Sequence, residues 1–175
     1  AGTCGATLAA GANCTIVVNY NPSTIATHNA TVSVGYTDGL NAQSATRALT
    51  GIAVAPASLT ISDGPTYDFG TLATGASAQK TFTITNGGGF TASSLTGTGL
   101  SAPFTFKGGG YPGTGGSCTS TLNAGSTCTI VVLWSPTATG LQSATFNIGY
   151  NNGASAQSAS GGVQGTGAAP ATLTI

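Results

Sequence analysis

Cys128-Thr129-Ile130-Val131-Val132-Leu133-Trp134 has a near twin 114 residues earlier in the chain, Cys14-Thr15-Ile16-Val17-Val18-Asn19-Tyr20. Both runs are short and dominated by β-branched and aromatic residues. Neither carries the 3.6-residue spacing of Leu, Glu, Lys and Arg that supports a helix. In a strand, Ile130, Val132 and Trp134 fall on one face and their neighbours on the other. Working outward, residues 1–61 align with 115–175 without a gap. Cys4 falls on Cys118, Pro22 on Pro136 and Tyr36 on Tyr150, and close to half of the 61 positions are identical. Self-similarity at a fixed period marks a repeat architecture. The chain reads as one and a half copies of a unit about 114 residues long, starting within one copy and stopping at the first strand of a third.

Comparing the copies separates inside from outside. Positions that keep a bulky residue, Tyr20/Trp134, Ile16/Ile130 and Tyr36/Tyr150, are expected to fill the core. Positions that change polarity, Asn19/Leu133 and His28/Gln142, are expected to face solvent. Period-2 alternation agrees: Lys80-Phe82-Ile84 faces one way and Thr81-Thr83-Thr85 the other. Strands are predicted near 58–62, 66–70, 77–86, 90–97, 103–107, 128–135, 141–150 and 154–164. Between them lie turn signals at Asn86–Gly89, Gly108–Gly110, Pro136–Gly140 and Asn152-Gly153, with Asp38-Gly39 as the matching turn of the first copy. The expectation is an all-β protein of antiparallel sandwiches, and a unit this long matches one immunoglobulin-like sandwich. Residues 1–53 are the C-terminal half of one repeat, 54–170 a complete repeat, and 171–175 the first strand of the next. The Pro-containing junctions at 51–58 and 165–171 are too short to act as flexible tethers.

Charge narrows the function classes. Only Arg47, Lys80 and Lys107 stand against Asp38, Asp63 and Asp68, so 3% of residues are charged and the net charge is zero. An ordinary soluble domain carries roughly 25%. Three cations cannot build a nucleic-acid surface or a polybasic membrane anchor. With 40% hydrophobic residues and positive mean hydropathy, the chain is not a solvated disordered tail. No run of 18 apolar residues is present to span a bilayer as a helix. The absence of Met and of a basic-then-apolar leader reads as a processed product or a segment of something longer.

Four cysteines form two Cys-x9-Cys pairs at equivalent places. The spacing does not suit a zinc ribbon or a thioredoxin-like site, and only His28 could add a nitrogen ligand. Disulfides Cys4–Cys14 and Cys118–Cys128 are expected instead. Each closes a Gly/Ser/Thr-rich loop ahead of CTIVV, worth roughly 2–3 kcal/mol by chain entropy, and places the chain in an oxidising compartment.

The succession YDFGTLATG (67–75), QKTFTITNGG (79–88), SLTGTGLSAPFTFKGG (94–109), YPGTGGSC (111–118), TLNAGSTCTIVVLWSPTATG (121–140) and a final GTG (165–167) resembles bacterial Hydin-like immunoglobulin-like repeats. These occur in "choice-of-anchor D" surface proteins. The resemblance covers nearly all of 54–170 and, through the repeat, 1–53. It implies Greek-key sandwiches of seven to eight strands, arranged in tandem in large exported proteins. It brings no catalytic residues and no cofactor.

Several residues invite chemistry. His28 stands where the second copy has Gln142, which argues against catalysis, and no Gly-x-Ser-x-Gly elbow is present. Lys80 suggests an isopeptide crosslink, yet only Asp63 and Asp68 share its copy, and a side chain snorkelling from the sandwich end is the simpler reading. Asp63 and Asp68 bracket a turn without the oxygen cage of a calcium site. Asn13 and Asn29 match the N-glycosylation pattern. Trp134 suits core packing better than sugar stacking.

The sequence therefore leads to a structural role. The chain is expected to be part of a secreted or cell-surface bacterial fibre, filament or adhesin stalk that associates with copies of itself or adjacent repeats. The half repeat would be completed by strand addition, with Leu173-Thr174-Ile175 as the candidate inter-unit strand. The alternative is a module recognising a glycan or host-surface protein through the Gly108–Gly116 loop with Tyr111 and Pro112, although one Tyr in a Gly-rich loop is more often a packed lid over the core. No metal, cofactor, nucleic acid or enzyme activity is expected.

Overall fold

The computed structural model describes residues 1–174 and divides into two compact units, Ala1–Val54 and Ala55 onward. Among the described residues there is no helix.

In the first unit the only paired strands are β1 (Thr27–Thr37) and β2 (Ala42–Ile52), an antiparallel hairpin in register from Thr27 opposite Ile52 to Thr37 opposite Ala42. Its turn follows from its residues. Gly39 takes φ 101°, a conformation open to glycine, and Asp38 Oδ1 accepts the N–H groups of Leu40 (2.9 Å) and Asn41 (2.8 Å). Residues 13–20 run without strand partners.

Among its described residues the second unit has nine strands: β3 (Leu59–Ile61), β4 (Thr66–Ala73), β5 (Ala78–Asn86), β6 (Ala92–Thr98), β7 (Phe104–Phe106), β8 (Thr121–Leu122), β9 (Thr127–Trp134), β10 (Gly140–Asn151) and β11 (Ala156–Ala168). They form a five-stranded sheet ordered β4-β11-β10-β6-β8 and a four-stranded sheet ordered β3-β5-β9-β7. Every strand predicted between 58 and 164 is present, with ends displaced by a few residues. Two features were not in the sequence reading. The two-residue β8 is new, and β4 joins β11 in parallel, so the sandwich is not wholly antiparallel.

The inward residues of both sheets interlock into one core, with Phe82, Ile84, Phe104, Ile130, Val132, Trp134, Phe146, Ile148 and Val163 all buried. At its centre Trp134 stacks on Phe104, with centroids 5.8 Å apart, and meets Phe69 at 5.7 Å. The indole lies on Gly165, where an added Cβ would come within 2.5 Å of the ring. The indole Nε1 donates to Gln142 Oε1 (3.2 Å), so burial leaves its polar atom satisfied. Asn86 is the buried polar side chain of this core.

Candidate interaction surface

The two copies share local architecture and differ in what covers it. Thr3 and Thr15 exchange hydroxyl and backbone hydrogen bonds around the first cysteine pair, and Ser117 and Thr129 do the same around the second. The structure joins Cys4 to Cys14 and Cys118 to Cys128, leaving no free thiol among the described residues. Asn152 Oδ1 accepts from Ala154 and Ser155 N–H as Asp38 does from Leu40 and Asn41. Tyr20 lies over Gly51 as Trp134 lies over Gly165.

Burial is where they part. Trp134 is 0% and Tyr150 9% exposed, whereas Tyr20 and Tyr36 are 50% and 53% exposed. The expectation that Tyr20 and Tyr36 are core aromatics is corrected on this point. They occupy the equivalent positions, but among the described residues no strands corresponding to β4, β5, β6 and β7 stand over them. The same lack explains why 13–20 forms no strand: β9 pairs with β5 and β7, and neither has a counterpart in the first unit. Ile16, Val17 and Val18 are likewise exposed, while Ile130, Val131 and Val132 are buried. The uncovered face holds a cleft of about 340 Å³ lined by Val18, Tyr20, His28, Leu49 and Gly51 among others. His28 meets Tyr20 edge-on at 5.9 Å, and its Nε2 lies 3.0 Å from the Thr24 carbonyl oxygen.

The structure does not gather the other sequence candidates into a reactive group. Lys80 Nζ donates to Asp63 Oδ1 (2.7 Å) and lies over the Tyr67 ring at 4.6 Å. The Lys80 hydrogen bond, aided by one from the Ser62 hydroxyl, holds the Asp63 carboxyl below its ordinary value. Asp68 is lowered first by the Gln164 amide and then by Gly70 N–H. Among the described residues no three His, Cys, Asp or Glu side chains come together. Tyr111 does not project from its loop. Its ring meets Phe106 edge-on at 5.9 Å and covers Gly97, and burial raises its phenol above the usual value. Pro112 carries structure through its backbone, its carbonyl accepting Val131 N–H at 2.8 Å. Leu173 and Thr174 are exposed, and Ile175 lies outside the described residues.

Two disulfides belong to a chain that matures in an oxidising environment, and among the described residues no helix is long and apolar enough to cross a membrane. No protein-family description and no curated protein matches the chain. Solved structures do resemble it. The VesB protease of Vibrio cholerae is similar over 62% of this chain and 31% of its own, with TM-score 0.51 and 18% identity. The PapD-like domain 7 of human CEP192 is similar over 65% and 87%, with TM-score 0.49 and 13% identity. A Porphyromonas gingivalis W83 protein of unknown function is similar over 89% and 71%, also with TM-score 0.49 and 13% identity. The chain thus spans under a third of the VesB chain, and at such identity the likeness is one of fold, in sheets without helices.

Proposed function

We propose that this chain is a structural segment of a secreted or cell-surface bacterial protein, a tandem array of immunoglobulin-like Greek-key sandwiches forming a fibre, filament or adhesin stalk. One observation carries the reading. Two copies of one unit keep the same disulfide loop, hairpin turn and aromatic-on-glycine seat, which suits a module used repeatedly rather than a single shaped active site. Near neutrality supports close association, since neighbouring modules carry little like charge to repel one another. The glycan-binding alternative finds less support, because the aromatic ring it needs, Tyr111, is turned onto Phe106. Electron microscopy of the native material tests the proposal. Regular fibres with an axial repeat near one sandwich length are expected, and isolated globular particles would refute it.

A further inference from the structure

Asparagine followed by glycine occurs twice in the chain, at Asn86-Gly87 and at Asn152-Gly153. Asparagine side chains are chemically labile, and glycine lacks the Cβ that would hinder its own nitrogen from reaching the preceding side chain. In the first copy the position of Asn152 is held by Asp38, again followed by glycine. We propose that Asn152 is a self-modification site of the folded protein, converting its amide to the aspartate already present at Asp38. The same dipeptide at Asn86 is sealed by the core until the second unit unfolds.

The seat of the product is on display in the first copy. Asp38 Oδ1 accepts Leu40 N–H (2.9 Å) and Asn41 N–H (2.8 Å), while Asp38 N–H donates to the Asn41 carbonyl (3.2 Å). Asn152 makes the same set. Its Oδ1 accepts Ala154 N–H (2.9 Å) and Ser155 N–H (2.8 Å), and its N–H donates to the Ser155 carbonyl (3.0 Å). The glycines that follow take φ 101° and 96°. The second oxygen of a carboxylate also has a partner in reach of the turn. Gln43 Nε2 donates to Asp38 Oδ2 at 3.0 Å, and Gln157, at the equivalent position, donates to Ser155 Oγ at 2.9 Å. These donors, Asn41 first and then Leu40 and Gln43, hold the Asp38 carboxyl below its ordinary value. An aspartate at 152 therefore keeps the turn, and a chain of zero net charge gains a fourth carboxylate.

The reaction begins when the Gly153 nitrogen, its proton taken by hydroxide, adds to Asn152 Cγ. Negative charge then collects on Oδ1, which the Ala154 and Ser155 N–H groups already face. The Cγ–Nδ2 bond breaks, ammonia leaves with a proton from water, and a cyclic imide remains. Water adds at Cγ and breaks the Cγ–N bond, restoring the main chain with aspartate at 152. The net exchange is water in and ammonia out. Opening at the main-chain carbonyl instead gives isoaspartate, whose extra backbone carbon disturbs the hairpin register that sets Asn151 opposite Ala156.

Asn86 is held against each of these steps. It is fully buried, its Nδ2 donates to the Phe90 and Leu122 carbonyls, and Gly87 N–H donates to the Ser58 carbonyl at 2.9 Å. Asn152 is partly exposed, and Gly153 N–H is held by the Asn151 side chain at 2.8 Å. Loosening a surface turn frees the second pair, whereas the first requires the core to open.

The test incubates 1–175 in mildly alkaline buffer, folded and in urea, and follows both pairs by peptide mass mapping. In urea the two should convert at similar rates. In the folded chain Asn152 should convert within about tenfold of its rate in urea, and Asn86 at least about 100-fold more slowly than in urea. The folded product should comigrate with Asn152→Asp on isoelectric focusing and keep the parent's urea midpoint and Trp134 fluorescence. Asn152→Gln should not form the acidic species. An Asn152 amide that persists in the folded chain while the urea sample converts would overturn the proposal. Conversion of Asn86 in the folded chain as fast as Asn152, or isoaspartate as the chief folded product, would overturn it too.

Discussion

Asn86 is expected to be the most costly single polar residue to remove from the second unit. Its Nδ2 donates to the carbonyls of Phe90 (2.9 Å) and Leu122 (3.0 Å), and its Oδ1 accepts Ser58 N–H (3.1 Å) and Gly88 N–H (3.0 Å). One fully buried amide thus ties the segment ahead of β3, the turn after β5 and the short β8 together. Asn86→Ala leaves two donors and two acceptors of the backbone unmet. At about 1 kcal/mol net for each bond, the loss is about 4 kcal/mol, since the site is enclosed and water replaces these partners poorly. With a urea slope near 2 kcal/mol per M, the midpoint falls by roughly 2 M. Trp134, the sole tryptophan and fully buried, reports this transition by fluorescence without interference from the first unit. Asn86→Asp keeps the two accepted bonds but turns a second oxygen toward two carbonyls. Burial and those carbonyls raise the pKa of the introduced carboxyl, so its penalty shrinks on acidification and grows as pH rises. A loss below about 1 kcal/mol for Asn86→Ala would refute the role assigned to this amide.

Three further outcomes follow from the same geometry. Removing the second disulfide by Cys118→Ala with Cys128→Ala should cost the Trp134 transition about 2–3 kcal/mol, while Cys4→Ala with Cys14→Ala should leave that transition unmoved; equal effects would show that fluorescence does not isolate the second unit. Gly165→Ala should cost about 1–3 kcal/mol and shift Trp134 emission, because the new methyl meets the indole at 2.5 Å; a neutral result would mean the ring has room to move. The Asp63 carboxyl is held low by Lys80 and Ser62, so its contribution is present above its unfolded pKa and is lost as pH falls through the lower folded value. Urea midpoints should therefore drop more between pH 6 and pH 3 for the parent chain than for Asp63→Asn, and parallel curves would contradict the pairing.

The strands were legible because alternation and turn chemistry act locally. Phe82 and Ile84 share a parity that any strand must honour, and Asn152-Gly153 encodes its hairpin within a few residues. The disulfides were legible from spacing and equivalence alone. The parallel β4–β11 pairing was not, because it joins residues nearly a hundred positions apart and no local pattern records which edge a strand takes. The inward turn of Tyr111 was legible only as the commoner of two cases, a lid packed over the core rather than an exposed stacking ring. The gap it fills, beside Phe106 and over Gly97, is a tertiary feature that no local pattern records.

Tyr20 and Tyr36 show the same limit from the other side. Comparing copies recognised a core position correctly in kind, but a core needs two faces, and a position code describes only one. The first unit keeps its turn, its disulfide loop and its Tyr20–Gly51 seat because each is closed within residues 1–54. Its strand at 14–20 is absent because that pairing depends on partners of the β5 and β7 kind. An exposed apolar face with open sheet edges is an association hazard for any chain that leaves it bare.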